Sequence, residues 1–572
     1  MVNSQSPTLS FNTFAYQRPD MDAFTVRFEQ LLTQFEQAPS LDAQSRTLEA
    51  INELRSEMDT MYNLCYIRHT KDTRDAFYEA ENNFFDQNMP TYQALISRFY
   101  EKLLHSTFRP ELESKWGKQL FNLATLARKT FDPVILEDLQ EENQLSSAYV
   151  KLKASAKIPF QGQEHNLASI QKLEFSADRA TRQAAAEAKW GFFAQHAAEV
   201  EQIFDQLVKV RHRIAGKLGF KNFIELAYAR MRRSDYNADM VAGFREQIRQ
   251  HIVPIASALY ERQRQRLGLE KLKYYDVDVR FRSGNPAPKG DTAWIIQNAA
   301  RMYRELSPET NAFFELMRQQ DLMDLETRPG KATGGYCTFV SGYQTPYIFS
   351  NFNGTSGDIE VLTHEAGHAF QVYSSRQIGI DEYQWPTYEA CEIHSMSMEF
   401  FTWPWMELFF AEDTDKFKFN HLSNAVCFLP YGVAVDEFQH FVYEHPDVSP
   451  QERNAAWRAI EQKYLPHLDY NGNDFLENGG FWYKQTHIFT VPFYYIDYTL
   501  AQICAFQFWK KSRENHAAAW NDYLRLCQAG GSQSFLGLVQ LANLQSPFGP
   551  QSVASVVAVI KEWLSQTDDS TF

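Results

Sequence analysis

The pentapeptide His364-Glu365-Ala366-Gly367-His368 constrains this chain more than any other feature. Two histidines four residues apart share a face on a helix, where both imidazoles can reach one metal ion. The Glu between them projects near enough to take a proton from water at that ion. The flanks supply the helix. Upstream, SNFNGTSGDIEVLT is turn-rich and places Asp358 as the expected N-cap. Ile359, Leu362, Ala366, Ala369 and Phe370 then recur at helical spacing, so the motif belongs to a helix with one buried face.

A catalytic zinc takes three protein ligands and keeps a fourth position for water, so a third ligand must come from elsewhere. Three known spacings fail. Gln371 and Ser374 stand where one would need Gly and His, and Thr387 and Tyr388 stand where two others would need Glu. The next acidic residues on a second helical stretch, TYEACEIHSMSMEFF, are Glu389, Glu392 and Glu399. Glu392 and Glu399 are two turns apart on one face, with Glu389 rotated off it by about sixty degrees. Glu392 as ligand and Glu399 as its supporting partner form a coherent pair, because ligating groups need an orienting hydrogen bond. Met396, Met398, Phe400 and Phe401 mark this stretch as buried, where a carboxylate requires a partner or a metal. His394 points away from Glu392 and reads as a core or cleft histidine, and Cys391 diverges too far to share a metal with it.

The segment PYIFSNFNGTSGDIEVLTHEAGHAFQVY, followed by EACEIHSMSMEFF, resembles the thimet oligopeptidase and oligoendopeptidase F family of zinc metallopeptidases. The variant EIHSMSMEF is similar to the Pz-peptidase-like branch of that family. THIFTVPFYYIDYTLAQ is a second matching block, and with YCTF and LCQAGGS the resemblance spans residues 330 to 535. It implies one Zn2+ held by His364, His368 and Glu392, with Glu365 as general base and Glu399 and Asp358 in support. It also implies that His487 and the tyrosines after it face the scissile peptide, with Tyr498 as the oxyanion donor and Tyr494 and Tyr495 as substrate contacts. On a helix from Phe493, Tyr494 and Tyr498 share a face. The strand-like segment Tyr347 to Asn351 ends just before the motif helix, so its backbone edge is placed to pair with an extended peptide, with Tyr347 and Phe349 beside it.

Helical periodicity dominates the rest. MDAFTVRFEQLLTQFEQA, LDAQSRTLEAINELRSEMDTMYNLCYIRHT and RDAFYEAENNFFDQNMPTYQALISRFYEKLL are amphipathic, and Pro110 marks a turn after them. Further helices are expected in residues 176–219 and 239–272, and the persuasive strand region is TGGYCTFVSGYQTPYIFSNFN, residues 333–353. The expected fold is mainly α, with a small β-sheet beside the HExxH helix. The resemblance adds two helical lobes flanking a deep substrate channel. The turn-rich stretch 280–292 divides an N-terminal helical region, 1–285, from a catalytic region, 286–572, with lobes sharing elements of both.

At 572 residues, 44% hydrophobic and 15% aromatic, the chain can bury several cores. A formal net charge of −15 argues against nucleic acid or an anionic membrane as partner. Six scattered cysteines read as thiols of a reducing compartment. The start, MVNSQSPTLSFNTF, lacks the regions of a secretory signal, and no apolar run reaches membrane-span length, so a soluble, cytoplasmic protein is expected. The functional expectation is an endopeptidase hydrolysing internal bonds of short peptides. A dipeptide-releasing C-terminal exopeptidase and a catalytically silent peptide-binding protein stay open beside it, and oligomeric state is not legible.

Overall fold

The structure, a computed structural model, describes residues 9–572. The first eight residues of the segment read for a secretory signal lie outside them. The three amphipathic stretches near the N-terminus are the helices Met21–Glu36, α1 (Leu41–Lys71) and Ala76–Leu104. Ser40 caps α1 by accepting from the Ala43 N–H, and Leu48, Ile51, Met58 and Cys65 bury one face of it. Pro110 lies in the first turn of the helix Arg109–Trp116, where its missing N–H costs no hydrogen bond. The two later stretches each divide in two, giving Arg179–Gln195 and Ala197–Lys217, then Ala238–His251 and Val253–Leu267. Pro254 starts the last of these because it cannot sit inside a continuous helix without breaking a bond. The fold is mainly α, with two small sheets among the described residues.

The chain forms two compact units whose segments alternate in sequence. The first comprises Met1–Arg128, Ala287–Thr414 and Cys504–Leu544. It contains a three-stranded sheet of β1 (Met323–Glu326), β2 (Tyr336–Val340) and β3 (Thr345–Phe352). β3 is central, parallel to β1 and antiparallel to β2, with Val340 opposite Thr345 and Tyr336 opposite Phe349. The strand region expected at 333–353 is this β2–β3 hairpin. β1 and a separate hairpin, Ile158–Phe160 with Gln163–His165, are only three or four residues each, too short for alternation to signal them. After β3 come α2 (Gly357–Ser375) and α3 (Tyr388–Phe401).

This topology corrects the expected peptide-pairing edge. β3 is bonded on both sides, so Tyr347 to Asn351 offers no open backbone edge. Tyr347 and Phe349 are fully buried core residues rather than substrate contacts: Tyr347 packs on the Phe11 ring at 4.4 Å, and Phe349 stacks on Tyr336 at 4.8 Å. Among the described residues the edges that no strand covers are the outer ones of β1 and β2.

The second unit comprises Lys129–Pro286, Asp415–Ile503 and Gln545–Phe572. Nearly all of α4 (Thr414–Glu444) and the first half of α5 (Tyr495–Glu514) belong to it. The two helices approach closely at Gly432, where a Cβ would lie 2.3 Å from Thr499 Cγ2. Among the described residues, no helix is long and apolar enough to cross a membrane. All six cysteines are free thiols.

Candidate metal centre

α2 carries the HExxH motif on the expected amphipathic pattern. Ile359, Leu362, Ala366, Ala369 and Phe370 are all fully buried. Asp358 differs from its expected place. It lies inside the helix, after Ser356 and Gly357, and its carboxylate accepts from the N–H groups of Asn353 (2.9 Å) and Gly354 (2.8 Å). It therefore fastens the turn between β3 and α2 and is neither an N-cap nor bonded to a metal-ligand candidate. The reason is local: the turn's two N–H groups point at a carboxylate that the first helical turn brings back toward them.

α3 runs beside α2 and completes a donor set. Glu392 Oε2 lies 3.3 Å from His364 Nε2 and 3.6 Å from His368 Nε2. The ligand atoms of these three residues all fall within 4.8 Å of one another. A tetrahedral metal with bonds of about 2 Å has ligand–ligand edges of roughly 3.3 Å, so the two carboxylate–imidazole separations suit such an ion. Glu399 sits 2.7 Å from His364 Nδ1 and accepts its N–H, which turns Nε2 toward Glu392 and the place a metal would take. Ser395, one turn on from Glu392, donates to Glu392 Oε2 at 2.9 Å. The donors fit a metal.

The electrostatics follow from burying these groups together. Burial lowers His364, but its bonds to Glu392 and Glu399 outweigh that and hold the imidazole well above its ordinary range. His368, with no such bond, is pushed by burial down to about 4, the neutral form a metal requires. Glu365 is pushed by burial up to about 7, with His364 pulling it down and Glu392 and Glu399 raising it. Its Oε2 is buried and has no hydrogen-bond partner among the described residues. It does not belong to the donor set. Gly335, just before β2, lies against it, with a Cβ there 3.6 Å from Glu365 Oε1.

Gly367 explains how α3 comes near enough. A Cβ at this position would stand 2.6 Å from the His394 carbonyl oxygen and 2.6 Å from Ser395 Cα, so only glycine permits the helix contact. His394 is fully buried, and its carbonyl also accepts from the Tyr523 hydroxyl at 2.8 Å. The connection between the helices is tied to α1, where Arg55 pairs with Asp381 and Glu382, and to the helix Ala76–Leu104, where Tyr100 donates to Glu382 at 2.7 Å.

His487, Tyr494, Tyr495 and Tyr498 are gathered in the second unit. The His487 ring centroid lies 5.9 Å from Tyr494, 5.0 Å from Tyr495 and 6.1 Å from Tyr498. Tyr494 and Tyr498 are 4.9 Å apart, although α5 begins only at Tyr495. The Gln485 amide donates to His487 Nδ1 at 2.8 Å and accepts from the Tyr431 hydroxyl at 2.7 Å, which leaves the His487 proton on Nε2. Sequence reading passed over Ser395, Gln485 and Tyr431. The i, i+3 spacing from Glu392 could have found Ser395, whereas Tyr431 lies far away on α4 and carries no signal.

Residues 173–290 and 309–552 match peptidase family M3, and residues 11–131 match the peptidase M3 N-terminal domain. An oligoendopeptidase F homolog of Borreliella burgdorferi (strain ATCC 35210 / DSM 4680 / CIP 102532 / B31) is 24% identical over 301 residues, 49% of this chain and 48% of that protein. The match thus spans about half the length of that curated relative. Among solved structures, PZ peptidase A with inhibitor 2 is 59% identical with a TM-score of 0.93, covering 98% of this chain and 100% of its own. A proposed oligoendopeptidase F from Bacillus anthracis str. Ames is 54% identical with a TM-score of 0.89, covering 99% of each chain.

Proposed function

This chain belongs to peptidase family M3, and from that premise we propose that it is a zinc-dependent endopeptidase cutting internal bonds of short oligopeptides. One observation carries the reading. Glu392 Oε2 meets the Nε2 atoms of His364 and His368, while the Glu365 carboxylate beside them keeps one oxygen unbonded. His364, His368 and Glu392 would hold a single zinc, which when bound would act as a Lewis acid toward the peptide carbonyl and make water a better nucleophile.

Glu365 takes the proton from the attacking water and passes it to the departing amine. Glu399 holds the His364 ring in place through Nδ1 and fixes its tautomer. Tyr498 supplies a phenolic donor, and His487 an Nε2–H donor, to the oxygen that gains charge in the transition state. Tyr494 and Tyr495 contact the substrate. An extended peptide pairs with the open edge of β2, whose entry at Gly335 adjoins Glu365. Main-chain pairing of that kind tolerates many side chains. The names of the relatives, oligoendopeptidase F and PZ peptidase, support the endopeptidase class.

Metal analysis and mass spectrometry of products from a mixed peptide library test this. One zinc per chain and cleavage at internal bonds is the expected result. Products confined to C-terminal dipeptides would replace the endopeptidase reading with an exopeptidase one. Metal-loaded protein that binds peptides and releases no products would be a binding protein on this scaffold.

A further inference from the structure

Phe493, immediately before the tyrosine block, has φ of +67°, a left-handed backbone that bulky residues rarely adopt. Glycine would take this conformation without strain. The chain instead uses a fully buried phenylalanine, packed on Tyr443 (5.7 Å), His440 (5.0 Å) and Tyr228 (5.8 Å). Side chains from distant segments bond both polar groups of its backbone. Its N–H donates to Gln439 Oε1 of α4 at 2.7 Å, and its carbonyl accepts from the Arg233 guanidinium at 2.6 Å. Arg233 also pairs with Asp497 in the first turn of α5 at 2.7 Å, both side chains being fully buried. It lies over the Tyr228 ring at 4.4 Å.

We infer that Gln439 and Arg233 form a clamp that positions the Tyr494, Tyr495 and Tyr498 rings relative to His487. Phe493 lies in the short turn between the helix Thr486–Thr490 and α5. Tyr494 stands one residue beyond it and α5 begins at Tyr495, so the backbone angle held there decides where each ring points. Arg233 then fixes the same helix a second time through Asp497. A strained residue persists only where its surroundings over-determine it, and such residues concentrate at working sites. Gln439 and Arg233 are positioning residues. They act through the tyrosines, and the inference rests on the reading of Tyr498 and His487 as donors.

The test is a double-mutant cycle between Gln439→Met and Tyr498→Phe, read as kcat and KM on an internally quenched peptide, with metal content and circular dichroism as controls. Gln439→Met should lower kcat by on the order of 100-fold with KM within about twofold, the size expected of an ångström-scale misplacement. Gln439→Glu, which keeps an acceptor for the Phe493 N–H, should recover most of that loss. The double variant should lose far less than the product of the two single losses, because the Tyr498 hydroxyl is no longer there to be positioned and only the Tyr494 and Tyr495 contacts remain to be disturbed. Should Gln439→Met not fold, Arg233→Lys gives the same reading, keeping the charge opposite Asp497 and losing the guanidinium fork. Unchanged kcat in a folded clamp variant, or losses that add in the double variant, would overturn the clamp while leaving the role of Tyr498 standing. Full turnover in Tyr498→Phe would remove the donor reading itself, and the clamp's function with it.

Discussion

Gly367→Ala should damage metal binding although it lies between the ligands and binds nothing. In a helix interior alanine is favoured over glycine by about 1 kcal/mol, so propensity alone predicts a more stable protein. The structure predicts the opposite. The new Cβ would stand 2.6 Å from both the His394 carbonyl oxygen and Ser395 Cα. These are backbone atoms of α3, so no side chain can swing aside. Carbon contacts settle near 3.5 Å, which asks α3 to retreat by roughly 0.9 Å. Overpacking of this kind costs about 1–3 kcal/mol, enough to cancel the propensity gain. The functional effect is larger, because Glu392 rides on α3 two residues before the clash. Metal–ligand distances tolerate only about 0.2 Å, so a shift of that size takes Glu392 out of the donor set. Affinity for zinc should fall by on the order of 100-fold, read by competition with a chromophoric chelator, while circular dichroism stays helical. An alanine variant with unchanged zinc affinity and a raised Tm would show that the helix contact does not set the site.

Glu365→Gln should keep fold and metal yet lose several orders of magnitude in kcat, whereas Glu392→Gln should release the metal; comparing zinc content with turnover for the pair checks both, and a Glu365→Gln enzyme at near full rate would refute the base assignment. Glu399→Gln should cost about 10–100-fold in metal affinity by loosening the His364 ring, measured by the same chelator competition, and an unaltered affinity would remove its supporting role. Asp59→Asn should stabilise the protein increasingly as pH rises. Burial and the charge of Asp381 push Asp59 up to about 8 against the pull of Arg55, so the wild-type fold is favoured below about pH 4 and loses that advantage between about 4 and 8, while Asn never ionises. The Tm difference between variant and wild type should widen across that window, and a constant difference would exclude the effect.

The residues of the candidate donor set stood out in the sequence because the spacing within each helix is local. His364 and His368 follow from one helical turn, and Glu392 and Glu399 from two turns of the next helix, so periodicity alone put each pair on one face. What separates the sequence reading from the structure is long-range. Asp358 sits at a helix start by pattern, but whether it caps that helix or the turn before it depends on where the backbone of Asn353 and Gly354 bends. The strand Thr345–Phe352 reads equally well as an edge or a centre. Its place in the sheet is decided by β1, four residues too brief to announce themselves.

The same distinction separates residues that stand out in a sequence by chemical type from residues that matter by placement. A side chain that binds metal or moves a proton must be of a particular chemical type, and type is visible in sequence. A residue that aims it can be almost anything: a glycine that makes room at 367, a serine bonded to Glu392, a glutamine on α4 that accepts from the Phe493 N–H. Their chemistry is ordinary and only their placement is special. Phe493 is the sharpest instance. It reads as one more core aromatic in an aromatic block, and it is one, yet its left-handed backbone sets the direction of the three tyrosines that follow. Substitutions that preserve every chemically conspicuous residue can therefore still disable this site, through glycine, serine and glutamine positions that composition and motif leave unmarked.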